Sequence, residues 1–121
     1  MPKILVVDDD PNIRELLRVH LINNGFEVAL AVDGRDAVEK TLEPPDLAII
    51  DLMMPKMDGF ELCRQLRDYY ENLPVLMLTA KADIGSKAKG YEAGTDDYLT
   101  KPFEGAELIM RVKALLRRYK I

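Results

Sequence analysis

Short apolar runs alternate with longer segments of helical period along the whole chain. Lys3 to Val7 is a β-branched run that stops at Asp8-Asp9-Asp10. Leu47-Ala48-Ile49-Ile50 stops at Asp51, and Val75-Leu76-Met77-Leu78, opened by Pro74, stops at Thr79. Unbroken runs this short predict strands buried on both faces. Phe26 to Ala31 alternates instead, with Phe26, Val28 and Leu30 on one side, which suits an edge strand. The short run Tyr98-Leu99-Thr100, followed by Lys101-Pro102, predicts a second edge.

The intervening segments carry helix signals. Asp10-Pro11 is an N-cap followed by proline at the first helical position. Ile13, Leu16, Leu17 and Leu21 then form one stripe, and Asn24-Gly25 ends it. Asp33-Gly34 opens a second helix with Ala37, Val38, Thr41 and Leu42, ended by Pro44-Pro45. After a loop holding Pro55 and Gly59, a third resumes near Asp58 and carries Phe60, Leu62, Cys63, Leu66 and Tyr69. Lys81 to Ala93 predicts a fourth, weak helix. Its stripe is only Ile84, Ala88 and Tyr91, and Gly85 and Gly90 each cost about 1 kcal/mol against alanine. The fifth is strong, with Leu108, Val112, Leu115, Leu116 and Tyr119 on one face.

A βαβαβαβαβα order in one domain, residues 1–121, predicts a parallel five-stranded sheet with helices on both faces. With the continuous runs central and the other two at the edges, the strand order is 2-1-3-4-5, the flavodoxin-like arrangement. Its ligand crevice lies at the carboxyl ends of strands 1 and 3.

Composition narrows the function classes. A net charge of −4 argues against this domain itself gripping nucleic acid. No apolar run approaches the roughly 18 residues of a membrane span, and Met1-Pro2-Lys3 opens no signal-peptide pattern. The single cysteine, Cys63, cannot form an internal disulfide, so a reducing cytoplasm is expected, with Cys63 filling a helix face as a small hydrophobe.

The predicted order brings the strand ends together. Asp8 and Asp9 from strand 1, Asp51 from strand 3, Thr79 from strand 4 and Lys101 from strand 5 converge on one crevice; Asp10 is assigned to helix capping. Clustered carboxylates repel unless a cation sits among them. Oxygen ligands suit a hard ion, with Mg²⁺ preferred to calcium because it keeps waters and shares its shell with phosphate. The lack of His and Cys ligands argues against zinc. A carboxylate beside such a metal can attack phosphorus to give an acyl phosphate, Lys101 offsetting charge and Thr79 donating to a phosphoryl oxygen.

ILVVDDDP, DLMMPKMDG, VLMLTAK and DDYLTKPF, in that order and spacing, resemble the receiver domain of two-component response regulators across essentially the whole chain. The resemblance implies a phosphorylation switch rather than an enzyme, with Asp51 accepting the phosphoryl group from a sensor histidine kinase. It implies Mg²⁺ held by Asp9, Asp51 and the backbone carbonyl of Met53, with Asp8 acting through water. It further implies a cis Lys101-Pro102 bond and a switch pair of Thr79 and Tyr98. GTDDYLTKPFEGAELIMRVKALLRR resembles the OmpR/PhoB-type transcription factors, whose receivers dimerise through helix 4, strand 5 and helix 5. Lys87, Glu92, Asp96, Asp97, Glu107, Arg111 and Arg118 match the charged positions of that interface. The family pattern pairs Lys87 with Glu107, Asp96 with Arg111, and Asp97 with Arg118 across or near that interface.

The stretch Ile84-Gly85-Ser86 lacks the acidic residue common there in the family. Such regulators bind DNA through a winged-helix domain after the receiver, so an end just past LLRRYK suggests a piece of a longer chain, with a stand-alone regulator as the alternative. A haloacid-dehalogenase-like phosphatase shares an aspartate nucleophile, but there the first strand ends in a DxD motif followed by Gly or small hydroxylated residues, whereas here Asp10 runs into Pro11. A flavodoxin-type carrier needs a Ser/Thr/Gly phosphate loop after strand 1, which this sequence lacks.

Overall fold

The computed structural model describes residues 1–80 and 95–119. In chain order these form β1 (Lys3–Val7), α1 (Pro11–Asn23), β2 (Glu27–Ala31), α2 (Gly34–Lys40) and β3 (Leu47–Asp51), followed by α3 (Gly59–Tyr69), β4 (Val75–Ala80), β5 (Asp97–Lys101) and α4 (Gly105–Tyr119). The weak helix expected over 81–93, with Lys87 and Glu92, lies outside the described residues.

The strands pair in parallel in the order β2-β1-β3-β4-β5, as expected from which runs were continuous. β3 is buried at every position, whereas β2 is buried only at Ala31, which is the difference between a central and an edge strand. Successive side chains of a strand point to opposite faces, so the sheet has two cores. Ile4, Val6, Leu47, Ile49, Leu76, Leu78 and Leu99 pack with Leu17, Leu21, Leu108 and Val112, on the face covered by α1 and α4. Leu5, Val7, Ala48, Ile50, Val75, Met77 and Tyr98 pack with Ala37, Phe60, Leu62, Cys63 and Leu66, on the face covered by α2 and α3.

The helix starts follow the sequence signals. Asp10, Asp33 and Asp58 are N-caps, their carboxylates accepting from the backbone N–H groups of Asn12, Asp36 and Glu61. Three expected core residues face solvent instead. Leu16 is 43% exposed because α1 lies over the β1–β2 edge and buries only the narrow line of Leu17 and Leu21, flanked by Ile13. Leu42 is 87% exposed because α2 stops at Lys40, with Thr41 as its C-cap, before the stripe reaches it. Tyr69 is exposed because Tyr70 takes the inward position after α3, its hydroxyl donating to the Thr41 carbonyl.

Candidate functional site

Strand register assembles the site. Val7 stands opposite Ile50, so the next residues, Asp8 and Asp51, end neighbouring strands side by side. Across the other edge of β3, Asp51 stands opposite Leu78, and in the next pair of strands Ala80 stands opposite Lys101. Asp8, Asp51 and Lys101 continue the alternation of Val6, Ile49 and Leu99, so all three leave the sheet on the α1/α4 side. Thr79 and Tyr98 follow the other alternation, that of Met77, toward α2 and α3.

The loop from β1 to α1 is held by its own backbone. The Asp8 N–H donates to the Ala31 carbonyl at 3.2 Å, and the Asp10 N–H to Asp8 Oδ1 at 2.9 Å. On the far side, α3 begins directly against the backbone of Asp51. The Gly59 N–H donates to the Leu52 carbonyl at 2.9 Å. A β-carbon on Gly59 would stand 2.7 Å from the Asp51 carbonyl oxygen and 2.8 Å from Leu52 Cα, both fixed backbone atoms.

The carboxylates of Asp8, Asp9 and Asp51 each offer an oxygen within 4.8 Å of the others. Lys101 Nζ stands 3.0 Å from Asp51 Oδ1 and 3.5 Å from Asp8 Oδ2. Only the first of these contacts is a hydrogen bond. Asp8 is fully buried, and its Oδ2 accepts no hydrogen bond among the described residues. Burial pushes the Asp51 carboxyl up to about 6 even though the Lys101 hydrogen bond works to lower it. Burial raises Asp8 too, against the hydrogen bond from the Asp10 backbone. Burial alone would lower Lys101, but the Asp51 and Asp8 carboxylates outweigh it and hold the ammonium above its ordinary value.

One ammonium among three clustered carboxylates leaves negative charge uncompensated. That excess and the orphaned Asp8 oxygen fit a small hard cation bound by oxygens. Asp9, the exposed member, makes no side-chain hydrogen bond or ion pair among the described residues.

Thus Asp8, Asp9, Asp51 and Lys101 meet as expected, and the Lys101-Pro102 peptide is cis. Thr79 is buried next to this group, but its hydroxyl donates to the Ala80 carbonyl at 3.3 Å and not to Asp51. Tyr98 is buried among the α2/α3-side core residues, and Met53 is exposed in the loop after Asp51.

The charged positions expected at a dimer surface divide. Within the chain, Asp96 stands just before β5, and its Oδ2 takes Arg67 of α3 at 2.5 Å and the Val75 N–H at 2.7 Å. Arg111 instead bridges Asp97 and Glu107, at 2.9 Å each, within the same chain. Arg118 is exposed and makes no ion pair among the described residues, so within one chain Asp97 pairs with Arg111 and Arg118 stays available to a second copy. Sequence reading missed Arg67 and Arg14, since each reaches backbone or charge on another element and no local pattern marks that.

A family model described as the response regulator receiver domain matches residues 4–113. The response regulator MprA of Mycolicibacterium vanbaalenii is 50% identical over 117 residues, which are 96% of this chain and 51% of that protein. MprA of Mycobacterium ulcerans is 50% identical over 120 residues, 98% of this chain and 52% of that protein. The chain thus spans about half the length of the curated relatives it matches. Among solved structures, the Francisella response regulator 1452 receiver domain is 40% identical with a TM-score of 0.90, covering 99% of this chain and 100% of that one. The Vibrio cholerae chemotaxis protein CheY4 is 36% identical with a TM-score of 0.91, covering 95% and 98%. With its sheet order, its acidic strand ends and this match over nearly its whole length, the chain belongs to the response regulator receiver domain family.

Proposed function

We propose that Asp51 is the phosphoacceptor of a signalling switch, with a divalent cation, Mg²⁺, bound beside it by Asp8, Asp9 and Asp51. The observation that carries this reading is Asp51 itself: a carboxylate 4% exposed, paired with a lysine, at the centre of a cluster that no apolar strand needs for stability. Bound there, the cation offsets charge on the phosphoryl oxygens.

The chain's own residues do the rest. The deprotonated Asp51 oxygen attacks phosphorus in a phosphohistidine of a sensor kinase. The P–N bond breaks, and its electron pair leaves with the imidazole, which takes up a proton. Asp51 attacks as the carboxylate, the form that the Lys101 hydrogen bond favours and that a bound cation would favour further. Lys101, held charged, follows the developing negative charge from Asp51 onto the transferred group. Thr79 reaches a phosphoryl oxygen only after its hydroxyl leaves the Ala80 carbonyl, and the buried Tyr98 ring one strand over is the partner that rearranges with it. The protein assists only its own phosphorylation and dephosphorylation and turns over no separate substrate.

Output follows from the same switch. Phosphorylation favours a two-fold dimer through the 81–93 segment, β5 and α4, and an attached winged-helix domain beyond this receiver binds DNA, as in OmpR/PhoB-type regulators. The buried free thiol of Cys63 agrees with a reducing cytoplasmic setting.

Acetyl phosphate with Mg²⁺ tests the reading. Intact-mass measurement should show one phosphoryl group gained, at Asp51. An Asp51→Ala protein that still gains it would overturn the assignment, and steady hydrolysis of small phosphomonoesters would show a phosphatase instead.

A further inference from the structure

Arg14, in the first turns of α1, is turned back toward the acidic loop. Its Nη1 donates to the carbonyl oxygen of Asp8 at 2.6 Å, while its backbone N–H donates to the Asp10 carbonyl at 3.0 Å. The first contact falls on the peptide that joins Asp8 to Asp9. That peptide is the only covalent support on this side for Asp9, whose carboxylate is exposed and otherwise unheld among the described residues. Arg14 forms no ion pair with a described carboxylate, so it does not sit in the cluster and neutralise it as Lys101 does. A guanidinium also remains charged at any working pH, so its grip on the carbonyl does not titrate away.

The helix dipole does not favour an arginine here, although the neighbouring carboxylates do. A cation near a helix N-terminus opposes the helix dipole. α2, α3 and α4 begin with Asp36, Glu61 and Glu107 in their first turns, whereas α1 has no acidic residue there. The contact with the loop is what Arg14 provides.

We infer that Arg14 is a positioning residue for the cation site: by clamping the Asp8 carbonyl it fixes the Asp8–Asp9 peptide plane, so that the Asp9 carboxylate meets those of Asp8 and Asp51. This rests on the reading of those three aspartates as the cation site. Groups that orient metal ligands from behind typically change affinity about 10- to 100-fold when removed. Simple electrostatics predicts the opposite sign, because deleting a nearby positive charge should strengthen cation binding.

The two effects separate in a titration of the purified protein with Mg²⁺, followed by tyrosine fluorescence or calorimetry. Arg14→Met should weaken binding about tenfold. Arg14→Gln, uncharged but able to donate to the same carbonyl, should recover part of the loss. Arg14→Met binding equal to or tighter than the parent's overturns the clamp, as does a Gln variant no better than Met. If the Met variant fails to fold, Arg14→Gln decides, and binding tighter than the parent's overturns the clamp in favour of simple charge removal. A parent that binds no Mg²⁺ overturns the cation site itself, and a parent that binds while Asp51 gains no phosphoryl group overturns the phosphoacceptor reading alone.

Discussion

The carbonyl oxygen of Asp51 occupies the space that a side chain on Gly59 would need. Only 2.7 Å separates it from the β-carbon position, and the next obstacle, Leu52 Cα, is also backbone. The start of α3 can therefore approach the proposed phosphoacceptor strand only as glycine. Alanine is the better helix former by up to about 1 kcal/mol, so propensity alone would predict a gain from Gly59→Ala. Overpacking against backbone typically costs about 1–3 kcal/mol and should win. The urea midpoint of Gly59→Ala should fall, and the rate of phosphorylation should fall with it as Asp51 is displaced. A variant at least as stable as the parent would show that α3 can shift freely.

The raised Asp51 carboxyl makes the cation-free protein pH-sensitive in an unusual direction. Its folded value, about 6, lies above that of the unfolded chain, so the native state binds more protons between about pH 4 and 6. Stability from this group is therefore highest at the acid end of that window and falls as pH rises through it. Asp8 shifts in the same direction, whereas Lys101, raised from 10.5, changes nothing below neutral pH. At about 1.4 kcal/mol per pKa unit the whole effect is of order 2–3 kcal/mol. Asp51→Asn should thus outstabilise the parent increasingly from pH 4.5 to 7 without Mg²⁺, and saturating Mg²⁺ should close the gap. A pH-independent difference between the two proteins would contradict the burial argument.

Asp96 and Arg118 should respond oppositely to substitution, although the family pattern places both at a dimer surface. Asp96 is 10% exposed and holds Arg67 and the Val75 N–H together where α3, β4 and β5 begin or end. Asp96→Ala leaves a poorly solvated arginine and a backbone donor without this partner and should cost about 2–4 kcal/mol in monomer stability. Arg118, exposed and unpaired among the described residues, should tolerate Arg118→Asp with no change in melting midpoint. The same reversal should abolish phosphorylation-dependent dimers, measured by light scattering with beryllofluoride and Mg²⁺. Normal dimerisation of Arg118→Asp would remove this face from the proposed interface.

Much of the site was legible because strand ends carry residues that strands do not need. An apolar run that stops at Asp8, Asp51, Thr79 or Lys101 marks its own carboxyl end, and continuous against alternating patterns separate central from edge strands. The helix caps at Asp10 and Asp33 were legible for a similar reason, since a cap bonds to backbone within three residues of itself, and Asp58 marked the start of the third helix. Periodicity was weaker at helix ends. Leu42 and Tyr69 fit the stripe but fall where the chain has already turned, and Leu16 fits it where the sheet edge offers too narrow a surface.

The sequence by itself determined the sheet order and the identity of the groups that converge, because both follow from short-range pattern and from how parallel strands connect. Only the tertiary structure decided how those groups face one another. Lys101 turns onto Asp51 and Asp8, whereas the Thr79 hydroxyl is taken by the Ala80 carbonyl and Tyr98 is buried in the α2/α3-side core. Partner choice among charges is decided in the same way. Asp96 and Asp97 are adjacent and chemically identical, yet at the start of β5 one is taken by Arg67 on α3 and the other by Arg111 on α4. No local pattern encodes that division, since it depends on which helix the fold has laid against each face.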